Sequence, residues 1–230
     1  MSTNSHQFPP HLANTHTTNT LPFVERDGLL MYQQECKTPE FFARSSFVIM
    51  LLGERVVVDH FVVMFPALEA LSDYAEALVE CGAQIIEGPG TWPDDFCPKD
   101  DLFSEDFSMY FLSALMPSGG IIVLSAPHAP NDALDRLLQT RGLDAVHHVG
   151  IRVDDVHAAK EAWENKGFIP LSEVPIDDGS LCQWFLVNRT GQIVELICRK
   201  QGSLYTFSCK NMRALRLCEK EAKRTLFSSN

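Results

Sequence analysis

Short apolar runs and helically spaced apolar residues occur twice along this chain, in the same order. The first set comprises a strand-like run at 56–64, a helical pattern at 68–81 and strand-like runs at 83–86, 107–112 and 121–124. The second set comprises a run at 146–153, a helical pattern at 156–165 and runs at 168–171, 182–187 and 192–198. This internal repetition predicts two consecutive βαβββ units.

We predict an α+β fold, in which the two units form one curved mixed sheet around a single site. Prolines, glycines and acidic residues at 88–104 indicate a long surface loop in the first unit. Apolar residues at helical spacing predict an amphipathic helix at 209–227. The chain divides into a disordered tail (1–22), an extension with an edge strand (23–55), the first unit (56–126), a helical linker (127–145), the second unit (146–200) and a C-terminal amphipathic helix (201–230).

The composition is that of an ordinary globular protein, because 45% of the 230 residues are hydrophobic and only 21% are charged. A net charge of −11 argues against the basic surface that nucleic-acid binding requires, and no apolar run approaches the length of a membrane span. Seven scattered cysteines without a Cys-x-x-Cys pair fit reduced thiols. Since the N-terminal residues also lack a secretory signal, we expect a cytoplasmic protein.

Two histidines and one glutamate are the candidate site residues. His60 and His148 lie early in the first strand of each unit, and alternation along the strand places His60 on one face with Val58 and Val62. A histidine in a strand is most often a hydrogen-bonded core residue, but the carboxylate of Glu195 lies in an aliphatic strand, where it needs a cation or donors. Since equivalent positions of the two units converge on one face, we predict a metal site formed by all three.

The two units differ at the position of the carboxylate. Aligning 119–124 with 191–196 places Val123 opposite Glu195, so the first unit lacks an equivalent ligand. The repeat therefore predicts one site rather than two. His147, which adjoins the second ligand histidine, is placed on the opposite face by the same alternation and is a weaker candidate.

Residues 56–200 resemble the vicinal oxygen chelate superfamily, which includes glyoxalase I, methylmalonyl-CoA epimerase, extradiol dioxygenases and 4-hydroxyphenylpyruvate dioxygenase. The resemblance is strongest in Ala126-Pro127, in the linker ending at Thr140-Arg141-Gly142, and in the run Val146-His147-His148-Val149-Gly150-Ile151-Arg152-Val153-Asp154-Asp155-Val156. It implies that a divalent metal is bound by the histidine opening each unit and by the glutamate on the last strand of the second. Those positions match His60, His148 and Glu195.

The resemblance leaves the chemistry open, because epimerase-like members supply an additional glutamate or glutamine from the first unit. Val123 stands at one such position, and Ser104, Glu105 and Asp106 lie near the other. Two histidines and one carboxylate are the set that holds non-haem Fe(II), with open positions for O2 and a chelating catechol or 2-oxo acid. This set favours a dioxygenase.

Two alternatives remain. In an epimerase or glyoxalase-type lyase, the metal stabilises an enediolate, and Glu195 or Glu87 is the catalytic base. A metal-free ligand-binding protein could also use this fold. We favour Fe(II) as the cofactor, with cobalt, nickel, manganese or zinc as alternatives.

The expected partner is a small-molecule substrate, with no nucleic acid and no membrane. A homodimer is allowed but not required, since two units in one chain can complete a site. Aromatic residues on the predicted strands are candidates for the pocket lining, although most such residues belong to cores: Phe107, Tyr110, Trp184 and Phe185.

Overall fold

A ten-stranded mixed sheet organises the protein in a computed structural model that describes residues 22–99, 108–200 and 206–227. The strands are β1 (Phe23–Arg26), β2 (Leu29–Tyr32), β3 (Val48–Leu51), β4 (Glu54–Met64), β5 (Gln84–Trp92), β6 (Met109–Leu115), β7 (Ile121–Pro127), β8 (His148–Arg152), β9 (Ile169–Pro170), β10 (Ile176–Asp177), β11 (Leu181–Val187) and β12 (Ile193–Arg199). The helices are α1 (Pro39–Arg44), α2 (Leu68–Glu80), α3 (Ala133–Arg141), α4 (Val156–Glu164) and α5 (Cys209–Phe227).

The sheet consists of two similar halves. In the first, β4 pairs in parallel with β7, and the order continues through β6 to β5. In the second, β8 pairs in parallel with β12, and the order continues through β11 to β10. The halves meet where β4 runs antiparallel to β8. The predicted α+β fold is confirmed, and the first strands of the two units lie side by side at its centre.

Local sequence signals account for the ends of the two crossover helices. The Asp155 carboxylate accepts hydrogen bonds from the backbone N–H groups of His157 and Ala158 and so caps the start of α4. Gly82 follows α2 with a φ of +90°, a conformation that glycine adopts without steric cost. Helices α2 and α4 therefore begin and end close to where the sequence predicts them.

The two faces of the sheet bury different hydrophobic cores. Helices α2 and α4 pack on one face, in a core that includes Phe61, Val63 and Trp163. The opposite face carries a smaller core that includes Val62 and Trp92. From Phe61 to Met64, alternation along β4 places odd and even residues in different cores, and the smaller core adjoins the candidate site.

Strand β5 is longer than the sequence predicts. It continues from Gln84 through Gly88, Pro89 and Gly90 to Trp92, so the loop predicted at 88–104 is wrong over its first five residues. The register between β5 and β6 shifts on both sides of Glu87. Such bulges tolerate proline and glycine, which explains why a strand persists here despite turn-like residues. Residues 100–104 of the predicted loop lie outside the described residues.

The extension preceding the first unit contains a hairpin that the apolar pattern does not single out. Strands β1 and β2 pair antiparallel, and the backbone N–H of Leu30 donates to Gln192 Oε1 at 2.9 Å. The side chains of Asn188 and Thr190 each donate to the Gly28 carbonyl at 2.8 Å. The hairpin is thus held by the turn between β11 and β12. The predicted edge strand of the extension is β3, which pairs with β4.

A disulfide joins Cys97 to Cys209, across 112 positions of sequence. The prediction that all seven cysteines are reduced thiols is therefore wrong. Spacing alone gave no signal, because the two sulfurs meet only when the start of α5 folds back onto the turn after β5. The other five cysteines form no disulfide in the described structure. The disulfide fixes the start of α5 beside the first unit.

The predicted disordered tail, residues 1–22, lies outside the described residues except for Pro22, whose carbonyl accepts a hydrogen bond from the Gln33 N–H. Among the described residues, none of the helices combines the length and the apolar character needed to span a membrane.

Candidate metal site

Three ligand-type side chains from three strands meet in the middle of the sheet. His60 lies on β4, His148 opens β8 and Glu195 lies on β12. His60 Nε2 is 3.1 Å from His148 Nε2. Glu195 Oε2 is 3.2 Å from His60 Nε2 and 3.5 Å from His148 Nε2. All three residues are buried, so the fold brings the predicted trio together out of contact with bulk water.

The triangle of ligand atoms fits one metal ion. Nitrogen and oxygen ligands lie about 2.1 Å from an ion such as zinc, so two ligands at right angles would be about 3.0 Å apart. The observed separations of 3.1, 3.2 and 3.5 Å are close to this value. Two imidazoles and one carboxylate are also the donor set typical of non-haem Fe(II). The residues therefore fit a divalent metal that is bound from one side.

Gly150 on β8 allows the three side chains to converge. It is the Cα partner of His60 on one side and of Glu195 on the other. A Cβ atom at this position would overlap the imidazole ring of His60. Because glycine has no side chain, the His60 ring can occupy the space above Gly150 and approach the other two residues.

A β-bulge determines which way His60 points. The register between β4 and β8 shifts between Val58 and His60, leaving Asp59 as the extra residue. Val58 packs in the helix-side core, whereas His60 and Val62 line the site. The prediction that His60 shares a face with Val58 is wrong, because one extra residue reverses the alternation. The prediction that it shares a face with Val62 is confirmed.

The residue in the bulge, Asp59, is fully buried and contacts the first ligand histidine. Asp59 Oδ1 is 3.2 Å from His60 Nδ1. Arg199 Nε and Nη2 and Arg152 Nη2 each donate to its carboxylate at 2.9 Å. Burial would raise the pKa of Asp59, but hydrogen bonds from His60 and Arg199 hold it well below its ordinary value. A carboxylate in this position fixes the tautomer and orientation of a metal-binding imidazole.

The second ligand histidine also has an outer partner. His147 Nδ1 is 2.7 Å from His148 Nδ1, and His147 Nε2 is 3.2 Å from Glu219 Oε1 on α5. Burial lowers the pKa of His147 to about 3, so its ring is neutral at pH 7. The prediction that His147 faces away from the site is wrong: β8 begins at His148, and the alternation of the strand does not extend back to His147.

The protonation states of the three ligands depend on one another. Burial would lower the pKa of His60, but the charge of Glu195 and a hydrogen bond with Asp59 raise it to about 9. Burial would raise the pKa of Glu195, but the charge of His60 and hydrogen bonds with both histidines lower it to about 2. Burial lowers the pKa of His148, which is therefore neutral. Without metal at pH 7, His60 carries the proton and pairs with the Glu195 carboxylate.

We expect the metal-free protein to lose stability towards both acid and alkaline pH. The folded-state pKa of Glu195 lies below its ordinary value of 4.5, so its contribution to stability is present above that pH and is lost as the pH falls towards about 2. The folded-state pKa of His60 lies above its ordinary value of 6.5, so its contribution to stability is present below that pH and is lost as the pH rises through about 9. The contribution of Glu195 at acid pH amounts to up to about 3 kcal/mol.

Urea unfolding of chelator-treated protein across this pH range measures the loss of unfolding free energy at both acid and alkaline pH. Glu195→Gln should reduce the loss of stability at acid pH. Glu54→Gln, at an exposed ion pair with Lys166, should leave that loss unchanged. An acid side that is equally steep in Glu195→Gln and in the unsubstituted protein would contradict the assignment.

A cavity with about 560 Å³ of empty space, part of it open to solvent, adjoins the three ligands. Phe185 lines it, as the sequence predicts. Tyr110 and Trp184 lie in the helix-side core instead, because they alternate with cavity-lining neighbours along β6 and β11. Phe107 lies outside the described residues.

The structure describes one of the two places where the sequence suggested a fourth ligand. Val123 lies in the cavity wall, so the place equivalent to Glu195 in the first unit carries an aliphatic side chain. Ser104, Glu105 and Asp106 lie outside the described residues. Within the described part of the chain, the cluster that could hold an ion consists of the two histidines and Glu195.

Two residues near the site, Asp59 and Arg216, are not singled out by the sequence pattern. A signal for Asp59 does exist, since a charged residue inside the apolar strand next to His60 raises the same burial question as Glu195. Arg216 lies on α5 one position after Leu215 and four after Met212, and all three line the cavity. Their helical spacing is the signal that could have placed Arg216 at the site.

A duplicated βαβββ sheet with two histidines and a glutamate at its centre defines the class of protein. The sequence model of the Glyoxalase/Bleomycin resistance protein/Dioxygenase superfamily matches residues 59–182, and the chain belongs to that superfamily. The match includes His60 and His148 and ends before Glu195. No curated protein matches the sequence.

Solved structures with a similar fold include a triply substituted variant of 4-hydroxymandelate synthase from Streptomyces coelicolor. That likeness has a TM-score of 0.52 and 19% identity, and covers 74% of this chain and 56% of that one. This chain thus spans little more than half the length of that protein. Methylmalonyl-CoA epimerase from Mycobacterium tuberculosis is similar at 17% identity and a TM-score of 0.43, over 68% of this chain and 91% of that one.

Proposed function

We propose that the protein is a metal-dependent dioxygenase, in which His60, His148 and Glu195 hold Fe(II) and the substrate is a small chelating molecule. The observation that supports this most is the ligand set itself. Two imidazoles and one carboxylate converge from one side, and Val123 occupies the place of a further carboxylate. Bound there, Fe(II) would supply open positions for O2 and for two oxygens of the substrate. Cobalt, nickel, manganese and zinc are the alternatives.

The side chains around the ligands would hold and shield the reacting groups. Asp59 and His147 orient the two ligand imidazoles through their Nδ1 atoms. The ring of Phe207 packs against that of His60, with centroids 4.9 Å apart. Apolar walls that include Phe185 exclude water from a bound substrate.

The alternative, an epimerase or glyoxalase-type lyase, needs a base beside the substrate. Burial raises the pKa of Glu87, but this residue is not among the described residues that line the cavity. Its carboxylate accepts hydrogen bonds from the Phe207 N–H at 3.2 Å and the Ser113 hydroxyl at 3.1 Å. These bonds support a structural role for Glu87, which leaves Glu195 as the candidate base in this mechanism.

Metal analysis and oxygen uptake test the proposal. Protein purified without chelator and supplied anaerobically with Fe(II) should retain stoichiometric iron and consume oxygen with catechols or 2-oxo acids. Failure to bind iron, together with no oxygen uptake across both substrate classes, would contradict the proposed dioxygenase activity. Deuterium incorporation from solvent into thioesters or hemithioacetals would instead support the lyase. Ligand binding that needs no metal would support a binding protein.

We also propose a cytoplasmic location and action on a small molecule, with a homodimer as an optional assembly. The Cys97–Cys209 disulfide is unusual for a cytoplasmic protein. Its presence in protein alkylated at the moment of cell lysis would weigh against that location.

A further inference from the structure

Helix α5 brings a buried guanidinium into the cavity wall. Arg216 is 5% exposed and lines the cavity. Its Nη1 donates to Glu219 Oε2 at 2.9 Å, whereas its Nη2 faces the Met109 sulfur at 2.7 Å. A thioether is only a weak acceptor. Among the described residues, Nη2 therefore has no strong acceptor, which is costly for a buried charged donor unless a ligand supplies one.

The surroundings of Arg216 carry a net positive charge. His147 Nε2 lies 3.4 Å from Arg216 Nη1. The guanidinium of Arg141, on α3, is close enough to interact electrostatically with both Glu219 and His147. Two arginines therefore face one carboxylate, so an additional negative group would be stabilised here.

A second polar group in the same wall also lacks a partner. Asn211 on α5 is 1% exposed, and its Nδ2 donates to Asp178 Oδ2 at 2.8 Å. This bond fixes the orientation of the amide, because only its nitrogen, Nδ2, can donate a hydrogen bond to the Asp178 carboxylate. Asn211 Oδ1 is buried without a hydrogen-bond partner in the described structure. A ligand hydroxyl group would satisfy it.

We propose that the cavity binds an apolar carboxylate whose anionic group pairs with Arg216, at a distance from the oxygens that chelate the metal. The metal-facing end of this ligand rests on the proposed function, but the Arg216 end does not. Apolar side chains such as Phe111, Val123 and Phe185 line the space and suit a hydrocarbon or aromatic body. A hydroxyl group on the ligand would bind Asn211.

Two probes of nearly identical shape test the carboxylate end by itself. The full-length protein is titrated calorimetrically with 3-phenylpropionate and with its neutral amide, with and without added Fe(II) under anaerobic conditions. The titration without Fe(II) is the decisive one, because a carboxylate can itself coordinate the metal. The acid should bind at least about tenfold more tightly than the amide, since a hydrogen bond between two charged groups is worth more than a neutral one. Equal affinities, or no measurable binding of the acid, would overturn the proposal.

Variants locate the preference. Arg216→Met keeps the apolar stem and should abolish the preference for the acid while the amide still binds. Arg213→Met, at an exposed position of the same helix, should leave the preference unchanged. A preference that persists in Arg216→Met would also overturn the proposal. Should that variant not fold, equal affinities of the two probes for the unsubstituted protein would still overturn the proposal.

The outcome is separable from that of the proposed function. His148→Ala should lose metal and keep the preference for the acid. A preference for the acid without iron binding would support the Arg216 site and contradict the proposed dioxygenase. Iron binding without that preference would contradict the Arg216 site and remain consistent with the proposed dioxygenase.

Discussion

His148→Ala is expected to abolish metal binding. The imidazole is one of three ligand atoms whose mutual distances are 3.1, 3.2 and 3.5 Å, and its loss leaves only two donors. Outer partners of metal ligands typically contribute roughly 10–100-fold to affinity, so loss of a ligand itself should exceed that range. Competition with a chromophoric chelator for Co(II) or Zn(II) measures the affinity directly.

The matched control is His157→Ala. His157 is exposed on α4, in the same half of the molecule, and its ring contacts Trp184 rather than the cavity. We expect this variant to bind metal as the unsubstituted protein does. Full metal occupancy in His148→Ala would refute the site, whatever the activity of the protein.

Asp59→Asn should destabilise the protein by about 3–5 kcal/mol, the range found when one partner of a buried ion pair is removed. The substitution keeps the size of the side chain but removes the charge that Arg199 and His60 face. The Arg199 side chain is only 8% exposed and would lose the buried carboxylate with which it pairs. Metal affinity should fall by a further 10–100-fold or so, because the His60 ring loses its orienting carboxylate.

The control for this effect is Asp177→Asn, which breaks the ion pair with Lys200. Both side chains there are about half exposed, at 49% and 48%, so the expected loss of stability is much smaller than in Asp59→Asn. Denaturant unfolding of both variants provides the comparison. If Asp59→Asn were no less stable than Asp177→Asn, the buried network would contribute nothing beyond a surface pair.

The repeated order of strands and helices is readable from sequence because it rests on local periodicities. The spacing of Leu71, Ala75 and Leu78 requires one buried helix face, and the aliphatic run around Glu195 requires a buried strand. Glycines with defined turn geometry, such as Gly82, end these elements. Each of these signals lies within a few residues of the structure that it specifies.

The errors arise where the alternation of a strand is interrupted or does not apply. The bulge at Asp59 moves Val58 to the other face of the sheet. Strand β8 begins at His148, so strand alternation does not determine the direction of His147. Both depend on pairing with a neighbouring strand. A bulge is an extra residue relative to a partner, so one strand read alone does not reveal it.

The sequence by itself determined the duplicated α+β architecture, the candidate ligands His60, His148 and Glu195, and the asymmetry that leaves Val123 in the first unit. These follow from short-range patterns and from comparison of the two copies. Only the tertiary structure decided that the three candidate ligand atoms lie close enough together to share one ion, that Asp59 and His147 contact the two histidines, and that α5 adds Arg216 to the cavity. Those facts depend on contacts between distant segments, because packing and burial fix them and local periodicity does not.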